Sequence, residues 1–205
     1  GPKMKWYEIV NKSPEKAEIW IYEQIGEDFW TGDGMTAKKF QEELSSIKAP
    51  NIDLHINSPG GSVFDGLTIY NNLKKHPANV TTYIDGLAAS IASVIALAGD
   101  RVMMSENALF MIHNPLGGLS VYGEAELIEE EAKRMVGLLG KVKTSITMAY
   151  TQKTSSTEED IAAMMNAETW MTAEEAIEAG FVDEISEAKD MAACAKFAPT
   201  MKKMG

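Results

Sequence analysis

Ser90, His113 and two glycine pairs, Gly60-Gly61 and Gly117-Gly118, are the residues of this chain whose types and surroundings could do chemistry. Ser90 stands between a strand-like stretch, Val80 to Ile84, and an uncharged run rich in Ala, Ile and Leu that ends at Gly99. That run is too short to cross a bilayer and predicts a helix buried on all sides over 90–98. A serine at such a junction is either a helix cap and small packing residue or a nucleophile beside unpaired backbone N–H groups. His113 closes the apolar run Ala108 to Ile112 and is followed by Asn-Pro-Leu-Gly-Gly. A histidine at a strand end next to a glycine loop is where a scaffold presents a general base. A hydroxyl beside an imidazole, with amides aimed where negative charge develops, is acyl-transfer chemistry. His55 in mid-strand and His76 before Pro77 read as structural or surface residues.

The elements that must position these groups follow from periodicity. Trp6 to Val10 and Ala17 to Tyr22 read as strands joined by the polar turn 11–16. Thr36 starts a helix with Phe40, Leu44 and Ile47 on one face. The strand Ile52 to Asn57 runs into Ser58-Pro59-Gly60-Gly61, then into a helix from about Phe64 to Lys75. Two strands at 101–104 and 108–112 come next. The alternation of strands and helices predicts an α/β fold with crossover connections. A helix from about Gly123 to Gln152 would be on the order of 45 Å long, so part of it is expected to project from the body. A helix starts at 156–160, a capping box at Thr172–Glu175 starts another that ends at Gly180, and 181–185 is a last strand.

Composition bounds the partners. The 205 residues are 45% hydrophobic, enough to bury a sizeable core, and the net charge of −11 argues against nucleic acid or an anionic membrane. Cys194 is the single cysteine, so no internal disulfide is available, and no signal peptide is read; the expectation is a soluble, cytoplasmic protein. Residues 1–3 read as a cloning remnant, 4–187 as the working domain and 188–205 as a tail. Gly140-Lys141 lacks the glycine and hydroxyl of a phosphate-binding loop, so any ATP dependence would belong to a partner. No metal or cofactor is expected.

Four segments taken together carry a family resemblance. They are Ile56-Asn-Ser-Pro-Gly-Gly61, Gly86-Leu-Ala-Ala-Ser-Ile-Ala92, Met111-Ile-His-Asn-Pro-Leu-Gly-Gly118, and Glu168-Thr-Trp-Met-Thr-Ala-Glu-Glu-Ala176 followed by Gly180-Phe-Val-Asp183. In this order and spacing they closely resemble the ClpP family of self-compartmentalising serine peptidases, over about Ala17 to Ile185. The resemblance implies a ClpP/crotonase-like fold of repeated ββα units with a projecting long helix. It makes Ser90 the nucleophile, His113 the base, and the amides of Gly61 and Ile91 the oxyanion hole. Where the family has an Asp as third member, Glu168 stands here, with Asp183 and Asp160 as the runner-up acids. Gly61, Ser62 and Val63 on one side and Pro115, Leu116, Gly117 and Gly118 on the other are expected to bind an extended peptide along its backbone. The resemblance further implies a homo-oligomeric ring, heptameric and single or doubled face to face through the long helix. Met4–Lys16 does not match the segment that in ClpP lines the pore and helps dock the ATPase, which leaves an unfoldase partner open. The segment Thr169–Ala173, with the short N-terminal part, is more similar to phage-encoded relatives regarded as head-maturation proteases. Two other readings remain open at this level: a crotonase-type acyl-CoA enzyme, which needs no Ser90–His113 pair, and a non-catalytic ring subunit.

Overall fold

The computed structural model describes residues 5–26 and 36–186; the expected remnant at 1–3 and the tail from 188 lie outside the described residues. A hairpin opens the chain, β1 (Tyr7–Asn11) pairing antiparallel with β2 (Lys16–Ile21). Its turn is closed by Ser13, whose hydroxyl accepts the amides of Glu15 and Lys16. From β2 the sheet continues in parallel through β3 (Asn51–Ser58), β4 (Asn79–Ala89) and β5 (Arg101–Ser105) to β8 (Glu184–Ser186). Parallel neighbours need crossovers, supplied by α1 (Ala37–Ser46), α2 (Val63–Lys75) and α3 (Ile91–Ala96). The strands are apolar on the face these helices cover. Ile19, Ile21, Leu54, Ile56 and Ile84 are fully buried and share one core with Phe40, Leu44, Ile69 and Leu73.

β4 serves two partners in succession. Its first half, Thr81 to Ile84, pairs with β5, and Leu87 to Ala89 pairs with β6 (Leu109–Ile112). The strand expected to end at Ile84 therefore runs five residues further, and the helix expected over 90–98 shrinks to the six residues of α3. An uncharged run of small and apolar residues suits a buried strand as well as a buried helix. The ladder to β6 on one side and the Ser58–Ala88 pairing on the other decide for the strand. Beyond β6 lies β7 (Thr169–Met171), antiparallel to it, after α4 (Ala125–Thr154) and α5 (Glu158–Asn166).

The long helix divides as its sequence suggests. Val142, Ile146, Ala149 and Tyr150 in its second half are buried, whereas Leu127, Ile128, Val136 and Leu138 in its first half remain exposed. One cap and one strand start differ in detail from expectation. Thr36 occupies the first cap but its hydroxyl makes no capping bond; Asp65 instead accepts the Ala37 amide at 3.0 Å. The last strand starts at Glu184 because α6 (Ala173–Glu178) ends in a Schellman motif that uses Gly180 and Phe181. Gly180 at φ +88° donates to Ile177, and the Phe181 amide to Ala176.

Candidate active site

Ser90 is the single residue between β4 and α3, and it is held at φ +57° and ψ −131°. A side chain in that region costs about 1–3 kcal/mol, so the fold must hold it there by other contacts. Its amide donates to the Met111 carbonyl of β6 at 3.0 Å. Gly60 makes room for it: a Cβ on Gly60 would lie 2.9 Å from that of Ser90. Although Ser90 stands where a capping residue would, its side chain caps nothing. The hydroxyl instead lies 2.8 Å from Nε2 of His113. With the ring proton on Nδ1, Oγ–H donates to Nε2, the arrangement that lets imidazole take the hydroxyl proton.

His113 follows the last residue of β6, and the β6–β7 register decides what faces it. Ile112 is opposite Thr169, which places position 113 opposite position 168. Oε1 of Glu168 comes to 3.8 Å from Nδ1, outside hydrogen-bond range, and its side chain is 59% exposed. The Trp170 indole N–H donates to the other carboxylate oxygen at 3.4 Å. Among the described residues Glu168 is the carboxylate within 4 Å of this ring. The runner-up acids are engaged elsewhere. Asp183 accepts the Val102 amide at 2.8 Å and pairs with Lys153 at 2.7 Å, while Asp160 is exposed in the first turn of α5. His55 stacks on Trp20 with centroids 3.9 Å apart, and Nδ1 of His76 accepts the Ala78 amide.

A cleft of about 240 Å³ opens beside Ser90 and His113, with Pro59 and Gly61 in one wall. Gly60 and Gly61, at φ +106° and +148°, run beside Ile25, whose amide donates to the Gly60 carbonyl and whose carbonyl accepts from the Ser62 amide. A Cβ on Gly61 would lie 2.2 Å from the Ile25 carbonyl oxygen, so only glycine fits. The bridge uses the Gly60 carbonyl and the Ser62 amide, so the amide and carbonyl of Gly61 take no part in it. α2 starts at Val63, with Ser62 capping it through the Asp65 amide at 3.3 Å. Among the described residues no backbone group pairs with the amide or carbonyl of Gly61, and Val63 lines the cleft wall. Pro115 and Leu116 line the opposite wall, whereas Gly117 packs against Met135 and Leu139 of α4. Asn114 is tied to Asn166, which also accepts from Lys143, so the segment after His113 is anchored to α4 and α5.

The family model for Clp protease matches residues 2–189. The chain belongs to the Clp protease family. Its curated relatives include an ATP-dependent Clp protease proteolytic subunit of Bacteroides fragilis, 34% identical over 75% of this chain and 74% of that protein. Another is proteolytic subunit 1 of Chlamydia muridarum, 36% identical over 70% of this chain and 73% of the relative. Subunit 1 of Protochlamydia amoebophila is 36% identical over 63% of this chain, a match spanning 62% of that relative. As a family member the chain is a serine-type peptidase, a hydrolase. Among the described residues no helix is long and apolar enough to cross a membrane.

Two residues beside Ser90 carried no recognisable signal in the sequence. Tyr150, on the buried half of α4, lines the floor of the cleft. Ser93, one turn into α3, is wholly buried and bonded to it.

Proposed function

We propose that Ser90, His113 and Glu168 act as a catalytic triad that cleaves peptide bonds in protein substrates. What carries the reading is the 2.8 Å contact between Ser90 and His113 at a strained strand-to-helix turn, in a chain of this family. As Ser90 Oγ attacks the scissile carbonyl, its proton passes to Nε2 of His113. The carbonyl oxygen takes up negative charge between the amides of Gly61 and Ile91. His113 then returns the proton to the departing amine, leaving an acyl-Ser90. Water, deprotonated by the same nitrogen, releases the acid and restores the hydroxyl. Glu168 balances the imidazolium once its side chain swings the short distance to Nδ1; such bonds are often long before substrate is bound. The Gly61 edge and the Pro115–Gly118 segment hold the substrate backbone as an added strand. Hydrolysis of a fluorogenic peptide by the purified chain, with the Ser90→Ala variant alongside, tests this reading.

The finer proposals concern assembly and setting. The family forms ring oligomers that act on protein substrates, and the exposed Leu127, Ile128, Val136 and Leu138 of α4 support contact between copies. We take the assembly to be a heptameric ring or a pair of rings meeting through α4. Light scattering is expected to give a mass of several chains, and Leu138→Glu a smaller species. A monomer with full peptidase activity would contradict the proposal. The lone Cys194 supports a reducing, cytoplasmic setting. The relatives are named ATP-dependent, and an ATPase partner for this chain is proposed on that similarity alone. The segment Thr169–Ala173 supports the narrower role of a phage head-maturation protease.

A further inference from the structure

We propose that Ser93 and Tyr150 are positioning residues that aim the Ile91 amide, and with it the Ser90 turn, into the cleft. The inference rests on the peptidase reading and assigns two residues that the triad leaves out. The peptide unit joining Ser90 to Ile91 is planar, with its carbonyl and its N–H on opposite sides. Whatever fixes the Ser90 carbonyl in the core therefore directs the Ile91 N–H outward, toward the developing oxyanion. That carbonyl accepts two bonds, from the Ser93 amide at 3.0 Å and from the Ser93 hydroxyl. A hydroxyl has one proton, and a carbonyl can only accept. The Ser93 proton is thus committed to Ser90, and the Tyr150 hydroxyl, 2.7 Å away, must be the donor to Ser93.

Tyr150 is well placed to hold this end of the relay. It is 1% exposed, and its ring meets Phe181 edge-on at 5.7 Å, while Phe181 in turn packs on Phe110 of β6 at 5.1 Å. Burial pushes its phenol above the ordinary range, which keeps the proton on it. From Phe181 through Tyr150 and Ser93 the contacts end on the one carbonyl whose orientation sets the strained ψ of Ser90.

The relay predicts a defect in transition-state stabilisation rather than in substrate binding. Losing an oxyanion donor outright costs about 10²–10³ in kcat, so a donor left in place but poorly aimed should cost roughly tenfold. Tyr150→Phe and Ser93→Ala are each expected to lower kcat about tenfold with KM within about twofold. They should weaken a peptide aldehyde inhibitor, whose hemiacetal oxygen occupies the oxyanion position, by a similar factor. Because both residues act through one carbonyl, the double variant should lose little more than either single variant. If Tyr150→Phe does not fold, Ser93→Ala, which removes one oxygen, gives the same readouts. Parental kcat and aldehyde affinity in a folded variant, with only the melting temperature lowered, would overturn the relay alone. Absence of peptidase activity in the parent chain would overturn the underlying peptidase reading instead.

Discussion

Ser90→Ala is expected to keep the fold and the assembly while lowering kcat/KM on the order of 10⁵-fold, as loss of a nucleophile that acts as one unit with its base. The substitution removes one oxygen and nothing that packs. Alanine carries the same Cβ, so the cost of φ +57° is unchanged, and the bonds that hold the turn come from the Met111 carbonyl and the Ser93 side chain and amide. Any residual rate would come from the Gly61 and Ile91 amides and from binding alone. Steady-state hydrolysis and a circular-dichroism melt check both halves of the expectation. Loss of activity together with loss of the folded signal would show that Ser90 serves the turn and not the chemistry. A rate within tenfold of the parent would remove it from the mechanism.

Replacement of Glu168 is expected to have the next largest effect. A buried triad acid can be worth about 10⁴ in kcat because it fixes the tautomer of the imidazole and balances its charge. Glu168 starts 3.8 Å from Nδ1 and is largely exposed, so water screens it and part of its value is spent on ordering a longer side chain. Glu168→Gln should therefore lower kcat about 10²-fold, with KM little changed. Glu168→Asp keeps the charge but not the reach and should lose about tenfold. Asp183→Asn supplies the contrast. Its carboxylate is held by Lys153 and the Val102 amide, so the change should lower the melting temperature and leave kcat within about twofold. Kinetics at saturating substrate separates these cases. If Glu168→Gln turns over at the parental rate and Asp183→Asn is inactive, the acid has been assigned wrongly while the Ser90–His113 pair stands.

The sequence made some of this architecture legible and hid the rest for identifiable reasons. β-branched and aromatic alternation was enough to place β2, β3 and the first half of β4, and the Thr172–Glu175 capping box marked the start of α6. The second half of β4 was concealed because Leu87-Ala-Ala89 has no period of its own. Those residues are strand only because β6 and Ser58 flank them, contacts between positions far apart in the chain. The pairing of His113 with position 168 depends on the β6–β7 register, which no local signal encodes. The need for glycine at position 61 shows only when the Ile25 carbonyl is in place against it. Ser93 follows Ser90 at one-turn spacing, yet its partner Tyr150 lies 57 residues further on, on a helix whose other half projects.

The central claim is that the Ser90 hydroxyl is made nucleophilic by His113. A fluorophosphonate probe, followed by mass spectrometry of the digested chain, tests it most directly, because the probe reacts with an activated serine and needs no knowledge of the natural substrate. One adduct per chain is predicted, on the peptide that contains Ser90, formed slowly or not at all in His113→Ala and absent in Ser90→Ala. An unlabelled parent chain, an adduct on another residue, or undiminished labelling of Ser90 in His113→Ala would contradict it.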